Sequence, residues 1–266
     1  MSPILCGWCA PMLDVAALAT ALLPAVDKAG RAILSYYKRD VAITRKDDNS
    51  PTTAADAEAE AILIEALTTL TPDIAIVAEE ACAHGTPTGM GATFWLVDPL
   101  DGTKEFLKGT DEFTVNVALI KDGVPVLGIV AAPALGETFV GYDGHAVKYT
   151  DTAKTLLKIN SDVQLPYRVL TSRSHHDRED VALLMGDRPV GEVMAVGSSL
   201  KFCRLAEGAG DIYPRLGTTM EWDTAAGDAV LRAAGGSVNN PDGSLFVYNK
   251  PGFRNGAFLA KRGGVA

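Results

Sequence analysis

No apolar run in the sequence approaches the roughly 18 residues needed to cross a bilayer as a helix, which excludes a helical membrane-spanning protein. Basic residues are outnumbered: 24 Lys and Arg stand against 33 Asp and Glu in 266 residues, a formal net charge of −9. That balance argues against a nucleic-acid partner, because binding along a phosphate backbone depends on an excess of Lys and Arg on one face. The start lacks the basic segment and apolar core of a secretory signal. Cysteine is scarce, with Cys6, Cys9, Cys82 and Cys203 alone. Cys6-Gly-Trp-Cys9 has redox-motif spacing but lies in a Pro-rich stretch rather than between a strand and a helix. Met12 offers an alternative start that would leave the residues before it as a frayed extension. The expectation is an acidic, globular, cytoplasmic chain with reduced thiols, association with the inner face of the cell membrane being left open. It is long enough to bury a sizeable core without disulfides or a structural metal, as one large domain or two modest ones.

Periodicity predicts the organisation. Leu13 to Tyr37 reads as a long helix with a kink at Pro24. Val41 to Thr44 reads as a strand, and Ser50-Pro51 as the cap and first residue of a second helix ending near Leu70. Ile74 to Val77 is a compact strand, followed by a loop over 81–91. Phe94 to Val97, Phe113 to Ile120, Val124 to Ala131 and Thr138 to Tyr142 form an antiparallel meander. From Tyr167 strands and helices alternate: strands over 168–171, 193–196 and 211–215, helices over 177–185, 200–207 and 223–234. The polar stretch from Asp151 to Asp162 places a boundary between an N-terminal α+β subdomain, 12–155, and a C-terminal α/β subdomain, 156–266.

The chemistry is in the carboxylates. The apolar run Trp95-Leu96-Val97 delivers Asp98 at a strand end, and Pro99 is expected to force the chain out of the ladder. Asp98 and Asp101, three apart across such a turn, can aim at one point, and the Leu100 carbonyl between them can join as a neutral oxygen donor. Hard oxygen donors are what Mg²⁺ requires. Gly102 allows close backbone approach, and the N–H groups of a short helix from Thr103 would face an anion. Read alone, Asp98-Pro99-Leu100-Asp101-Gly102 fits an Asp-capped turn equally well. Glu79-Glu80 beyond a buried strand, and Asp223 before Ala225-Ala226-Gly227, favour a metal site, although Asp223 alone reads as a helix cap. Neighbouring carboxylates raise one another's pKa unless a cation holds them together. Asp56 continues an apolar helical stripe through Ala59, Leu63, Ala66 and Leu70, so its carboxylate points inward and must be paired or working. Glu58 and Glu60 lie off that stripe and read as solvated; Asp47 and Asp48 read as turn residues or a weak outer metal site.

Glu79-Glu80, Asp98-Pro99-Leu100-Asp101-Gly102-Thr103 and Trp222-Asp223-Thr224-Ala225-Ala226-Gly227 resemble the inositol monophosphatase superfamily of lithium-sensitive, Mg²⁺-dependent phosphatases, over about residues 14–262. Asp101 to Phe106, Ser172-Arg173-Ser174-His175, Gly197 to Cys203, Tyr213-Pro214-Arg215 and Pro251 to Arg254 resemble its bisphosphate nucleotidase branch. Ala78, where many relatives have Gly or Ser, and the Cys6–Cys9 extension depart from the pattern.

The resemblance implies a layered α/β/α/β/α fold with the active site between two subdomains. It implies metal-ligand roles for Glu79, Asp98, the Leu100 carbonyl, Asp101 and Asp223, and water activation by Asp56 and Thr103. Two or three Mg²⁺ ions per site would be the cofactor. The implied reaction removes the 3′-phosphate of adenosine 3′,5′-bisphosphate, a by-product of sulfate assimilation, with phosphoadenylyl sulfate as an alternative substrate. Lys104, where inositol monophosphatases usually carry a second Thr, favours the nucleotidase branch. Gly102, Thr103 and Lys104 would meet the substrate. Arg173, His175, Ser198, Ser199, Lys201 and Arg215 are polar groups in otherwise apolar segments, expected at the second phosphate and the base; each alone reads equally well as a surface residue. An inositol or sugar phosphate phosphatase and a non-catalytic interaction protein are the competing readings. Monomer and homodimer are equally compatible with the sequence.

Overall fold

The computed structural model describes residues 13–39, 44–45, 51–83, 85, 90–173 and 178–265. The Cys6–Cys9 motif, Asp47, Asp48, Ser50 and His175 lie outside them. Helix α1 (Val15–Tyr36) is capped by the Asp14 side chain, which accepts from the Ala17 N–H, and runs as one helix through Pro24. Strands β1 (Thr44–Arg45) and β2 (Pro51–Thr52) pair antiparallel, so Pro51 belongs to a strand and does not open the second helix. Thr53 caps that helix, α2 (Ala54–Leu70), in a reciprocal box with Asp56. Its buried stripe runs through Asp56, Ala59, Glu60, Leu63 and Leu67, whereas Leu70 is 38% exposed.

Next come β3 (Ala75–Ala78), the single turn α3 (Glu79–Cys82), β4 (Thr93–Asp101), α4 (Thr103–Lys108), β5 (Thr114–Lys121), β6 (Val124–Ala132), β7 (Glu137–Tyr142), β8 (His145–Tyr149) and β9 (Lys154–Leu157). Among the described residues β3 to β9 form one sheet in sequence order, with β3 parallel to β4 and every later pair antiparallel. The predicted meander is therefore present. It extends through β8 and β9, the latter within a stretch that reads as polar connection. Side chains alternate cleanly across this sheet. Trp95, Val97, Val115, Val117, Leu127 and Ile129 pack against α1 and α2. Phe94, Leu96, Ala118, Ile120, Val130 and Phe139 face the other way. Both faces are covered, which explains why these strands read as unbroken apolar runs.

The rest of the chain forms β10 (Tyr167–Ser172), α5 (Arg178–Met185), β11 (Val190–Val196), α6 (Leu200–Ala206), β12 (Ile212–Arg215), β13 (Thr219–Met220), α7 (Glu221–Ala233), β14 (Ser237–Asn239), β15 (Arg254–Asn255) and β16 (Phe258–Lys261). A second sheet has the order β11-β10-β12-β16-β14, parallel across its first three strands and antiparallel beyond, while β13 pairs with β15. Helices α6 and α7 lie between the two sheets, and α5 packs on the outer face of the second with Tyr167, Val169, Ile212 and Leu259. The layers are α/β/α/β/α, as the resemblance implies. Helix α7 sits very close to the first sheet. A side chain at Gly128 on β6 would strike the Ala226 carbonyl, and one at Gly141 on β7 would strike the Val230 backbone. No described helix is long and apolar enough to cross a membrane.

Candidate active site

Strand β4 does not end at Pro99. It stays paired with β5 from Thr93 to Asp101, but Asp98 faces Asn116 while Asp101 faces Thr114, so β4 carries one extra residue there. A bulge of this kind tolerates proline, because the ladder is already interrupted. It also has a geometric effect. In a regular strand residues three apart point to opposite faces, and the extra residue brings the Asp98 and Asp101 carboxylates to the same side. Asp98, 1% exposed, accepts from the Leu100 N–H at 3.0 Å. Gly102 then takes a left-handed conformation (φ 88°) and α4 begins at Thr103, whose hydroxyl donates to the Leu100 carbonyl at 3.3 Å.

Parallel pairing of β3 with β4 sets Ala78 opposite Val97 and brings Glu79 beside Asp98. Burial, and then the charges of Glu79, Asp101 and Asp223, push the Asp98 pKa well above the carboxylate range. Asp223 is raised for the same reasons: burial first, then Asp101 and Glu79. It lies in the first turn of α7, where its Oδ2 accepts from the Met220 N–H at 2.7 Å, so the cap role and a place in the cluster coexist. Asp101 is also raised by burial, with Lys201 and Ser199 opposing.

Among the described residues no three Asp, Glu, His or Cys side chains are gathered tightly enough to enclose a metal ion. Mg²⁺ does not need such a cage. It keeps several waters and takes one or two carboxylates directly. What fits it here is the donor chemistry: hard carboxylate oxygens from β4, α3 and α7, buried at Asp98 and half-buried at Glu79, Asp101 and Asp223, whose charges disfavour one another unless a cation offsets them.

Asp56 is buried as its stripe predicts, and its Oδ2 accepts from the Thr53 N–H and hydroxyl, both at 2.8 Å. Burial, with Glu80 and Glu79 adding, pushes its pKa up to about 6. Among the described residues no hydrogen bond joins Asp56 to Thr103. Glu60 is not solvated. It is 7% exposed, and its carboxylate accepts from the Glu80 N–H at 2.8 Å, fixing the turn that carries Glu79. Its position one helical turn beyond Asp56 is a signal that sequence reasoning passed over.

A cavity of about 270 Å³ opens beside the cluster, lined by Glu79, Asp101 and Asp223 on one side. Gly102, Thr103 and Lys104 contribute to its wall, as do Ser198, Lys201 and Arg215, with Thr218 and Thr219 as members not anticipated. Lys201 is buried and donates to the Ser198 and Val196 carbonyls, while Arg215 Nε donates to the Gly217 carbonyl. Ser198 holds a left-handed conformation (φ 44°), and its buried hydroxyl has no hydrogen-bond partner among the described residues. Ser199, expected at the substrate, is not among the lining residues; it is 2% exposed and bonded to Asp101 and the Asp223 carbonyl. Arg173 is engaged by Glu112 at 2.5 and 2.9 Å, and Glu112 also accepts from the Gly197 N–H, so this pair fastens the loop before α6.

This fold and this cluster agree with the outcome of comparison with known proteins: residues 14–264 match the inositol monophosphatase family model, and the chain belongs to that family. Curated relatives include the 3′(2′),5′-bisphosphate nucleotidase CysQ of Salmonella typhimurium, 43% identical over 236 residues that cover 85% of this chain and 94% of the relative. The protein of the same name from Escherichia coli K12 is 42% identical with the same coverage. Among solved structures, CysQ from Bacteroides thetaiotaomicron superposes with a TM-score of 0.74 at 33% identity, covering 94% of this chain and 98% of that one. An inositol monophosphatase from Thermotoga maritima, at 24% identity and a TM-score of 0.75, shares the fold.

Proposed function

We propose that this chain is a Mg²⁺-dependent 3′(2′),5′-bisphosphate nucleotidase that hydrolyses the 3′-phosphate of adenosine 3′,5′-bisphosphate to AMP and phosphate. The observation that carries the reading is a carboxylate cluster, half-buried at Glu79, Asp101 and Asp223, sharing one cavity with two buried cations, Lys201 and Arg215, in a chain 42–43% identical to nucleotidases of that name. Glu79, Asp98, Asp101, Asp223 and the Leu100 carbonyl would hold the metal. Bound there, divalent cations supply Lewis-acid activation of water and neutralisation of phosphate charge.

The chain's own groups do the rest. The Thr103 hydroxyl orients the attacking water, and Asp56 accepts a proton through that hydroxyl once it turns from the Leu100 carbonyl; a carboxylate titrating near 6 suits a base at neutral pH. Gly102, Thr103 and Lys104 contact the scissile phosphate. Ser198, Lys201 and Arg215 meet the remote 5′-phosphate, Arg215 through its planar fork. In a chain of charge −9, whose cavity is also lined by Glu79, Asp101 and Asp223, these two buried cations offset part of the negative field, and bound divalent cations would supply what more a bisphosphate needs to enter. In this reading 12–155 supplies most metal ligands, and 156–266 supplies Asp223 and the substrate contacts. A cytoplasmic setting is inferred from the low cysteine usage, four in 266 residues.

Phosphate release from adenosine 3′,5′-bisphosphate and from inositol 1-phosphate, each with Mg²⁺ and with chelator, tests the proposal. Turnover of the nucleotide at least tenfold above that of the inositol ester, abolished by chelation, is expected. A preference for inositol 1-phosphate would replace the substrate assignment, and turnover of neither would remove the enzyme reading.

A further inference from the structure

Ser199, between β11 and α6, places two donors and one acceptor at the junction of the metal-binding elements. Its N–H donates to Asp101 Oδ2 at 2.6 Å. Its hydroxyl oxygen lies 3.0 Å from the same Asp101 oxygen and 2.5 Å from the Asp223 carbonyl, and it accepts from Asn116 Nδ2 at 2.9 Å. A serine hydroxyl has one proton, and the shorter contact assigns it to the Asp223 carbonyl. Asn116, on β5 directly opposite Asp98 in the register, is 1% exposed and also reaches Asp101 Oδ2, at 3.4 Å. One buried node thus ties β4, β5 and α7 together, over sequence separations of 98 residues to Asp101 and 24 to Asp223.

We propose that Ser199 and Asn116 are positioning residues that set the spacing of the metal-binding carboxylates, and that Ser199 acts on the metal site rather than on the substrate. This rests on the metal-dependent reading above. With Oδ2 of Asp101 committed to protein donors, the carboxylate torsion is fixed and Oδ1 is the oxygen offered to a cation. The Ser199 hydroxyl anchors the first turn of α7, and with it Asp223. Outer partners of this kind typically account for about 10–100-fold in metal affinity.

The test is Mg²⁺ titration of the full-length wild type, Ser199→Ala and Asn116→Ala. Calorimetry on the metal-free proteins is combined with Mg²⁺ dependence of phosphate release at saturating adenosine 3′,5′-bisphosphate. Both variants should bind Mg²⁺ about tenfold more weakly, recover a kcat within about threefold of wild type at saturating Mg²⁺, and be scarcely worse when combined. Wild-type Mg²⁺ affinity in both variants overturns the proposal, as does a loss of turnover that excess Mg²⁺ leaves in place. A wild type that binds no Mg²⁺ overturns the metal-dependent reading and the proposal with it, whereas an Mg²⁺-dependent wild type with unaltered variants overturns the positioning role alone.

Discussion

Asp98 is buried beside Glu79, with the charges of Asp101 and Asp223 nearby, so its ionised form is disfavoured unless a cation offsets them. Asp98→Asn keeps the size and shape of the side chain but removes a charge that a cation would use. Turnover should fall by at least about 10³-fold, while the metal-free protein melts roughly 2–4 °C higher, about 1 kcal/mol of relieved repulsion. Full activity at ordinary Mg²⁺ concentrations would refute the ligand assignment. Asp211 behaves in the opposite way. Burial opposes its ionisation, but hydrogen bonds from the Arg168 side chain and backbone, with the nearby charges of Arg168 and Arg262, outweigh this and hold its pKa below the usual value. The stability it contributes is therefore complete above the unfolded-chain pKa, near 4, and disappears as pH falls through the lower folded value. Asp211→Asn should cost about 2–3 kcal/mol at pH 7, by denaturant unfolding, and the gap to wild type should close below about pH 4. A gap that stayed constant down to pH 3 would show that charge is not the source.

The bulge in β4 and the glycines under α7 set the site's geometry at the level of elements. Gly128→Ala would place a methyl group against the Ala226 carbonyl. Neither the strand nor the helix backbone can yield cheaply, so unfolding stability should fall by about 1–3 kcal/mol. Because α7 carries Asp223, the Mg²⁺ concentration for half-maximal turnover should rise as well. A stable variant with an unchanged Mg²⁺ requirement would show that α7 is not seated by this contact. Much of this layer is legible in sequence. The apolar strand ahead of Asp98, the inward stripe carrying Asp56 and the small residues after Asp223 all follow from local periodicity. Glu60 escapes because a charged residue reads as solvated until its partner, the Glu80 N–H on another element, is known. Ser199 is singled out in the sequence, but for the substrate; the positioning role proposed for it escapes for the same reason, its partners lying on β4, β5 and α7. Pro99 reads as a strand end because a bulge depends on the partner strand's register, which β4 alone does not contain. The short strands β8, β9, β14 and β16 carry too few residues for their period to stand out.

Across the whole molecule the cluster stores electrostatic repulsion that a bound cation would release. Mg²⁺ at about 100 times its dissociation constant should therefore stabilise the native state by roughly 2.7 kcal/mol, read as a rise in Tm on adding Mg²⁺ to chelator-treated protein. The rise should vanish in Asp101→Asn; an equal rise in that variant would place the stabilising ion elsewhere. A second bond between the layers is the ring of Glu137, Lys148, Glu207 and Arg204, with contacts of 2.5–2.7 Å, which joins β7 and β8 of the first sheet to α6.

The seating of α7 on Gly128 and Gly141 also has a consequence in time. The first sheet is complete by Leu157, yet its inner face stays uncovered until a helix that begins at Glu221 arrives to lie on it. During synthesis at about 5–20 residues per second, that apolar face waits several seconds for its cover, the interval in which non-local folds are most prone to aggregate. Asp223 arrives with the same helix, so a growing chain cannot assemble the full ligand set before its largest core is closed. Catalytic competence and burial of that core are thus one event in the folding history of this chain.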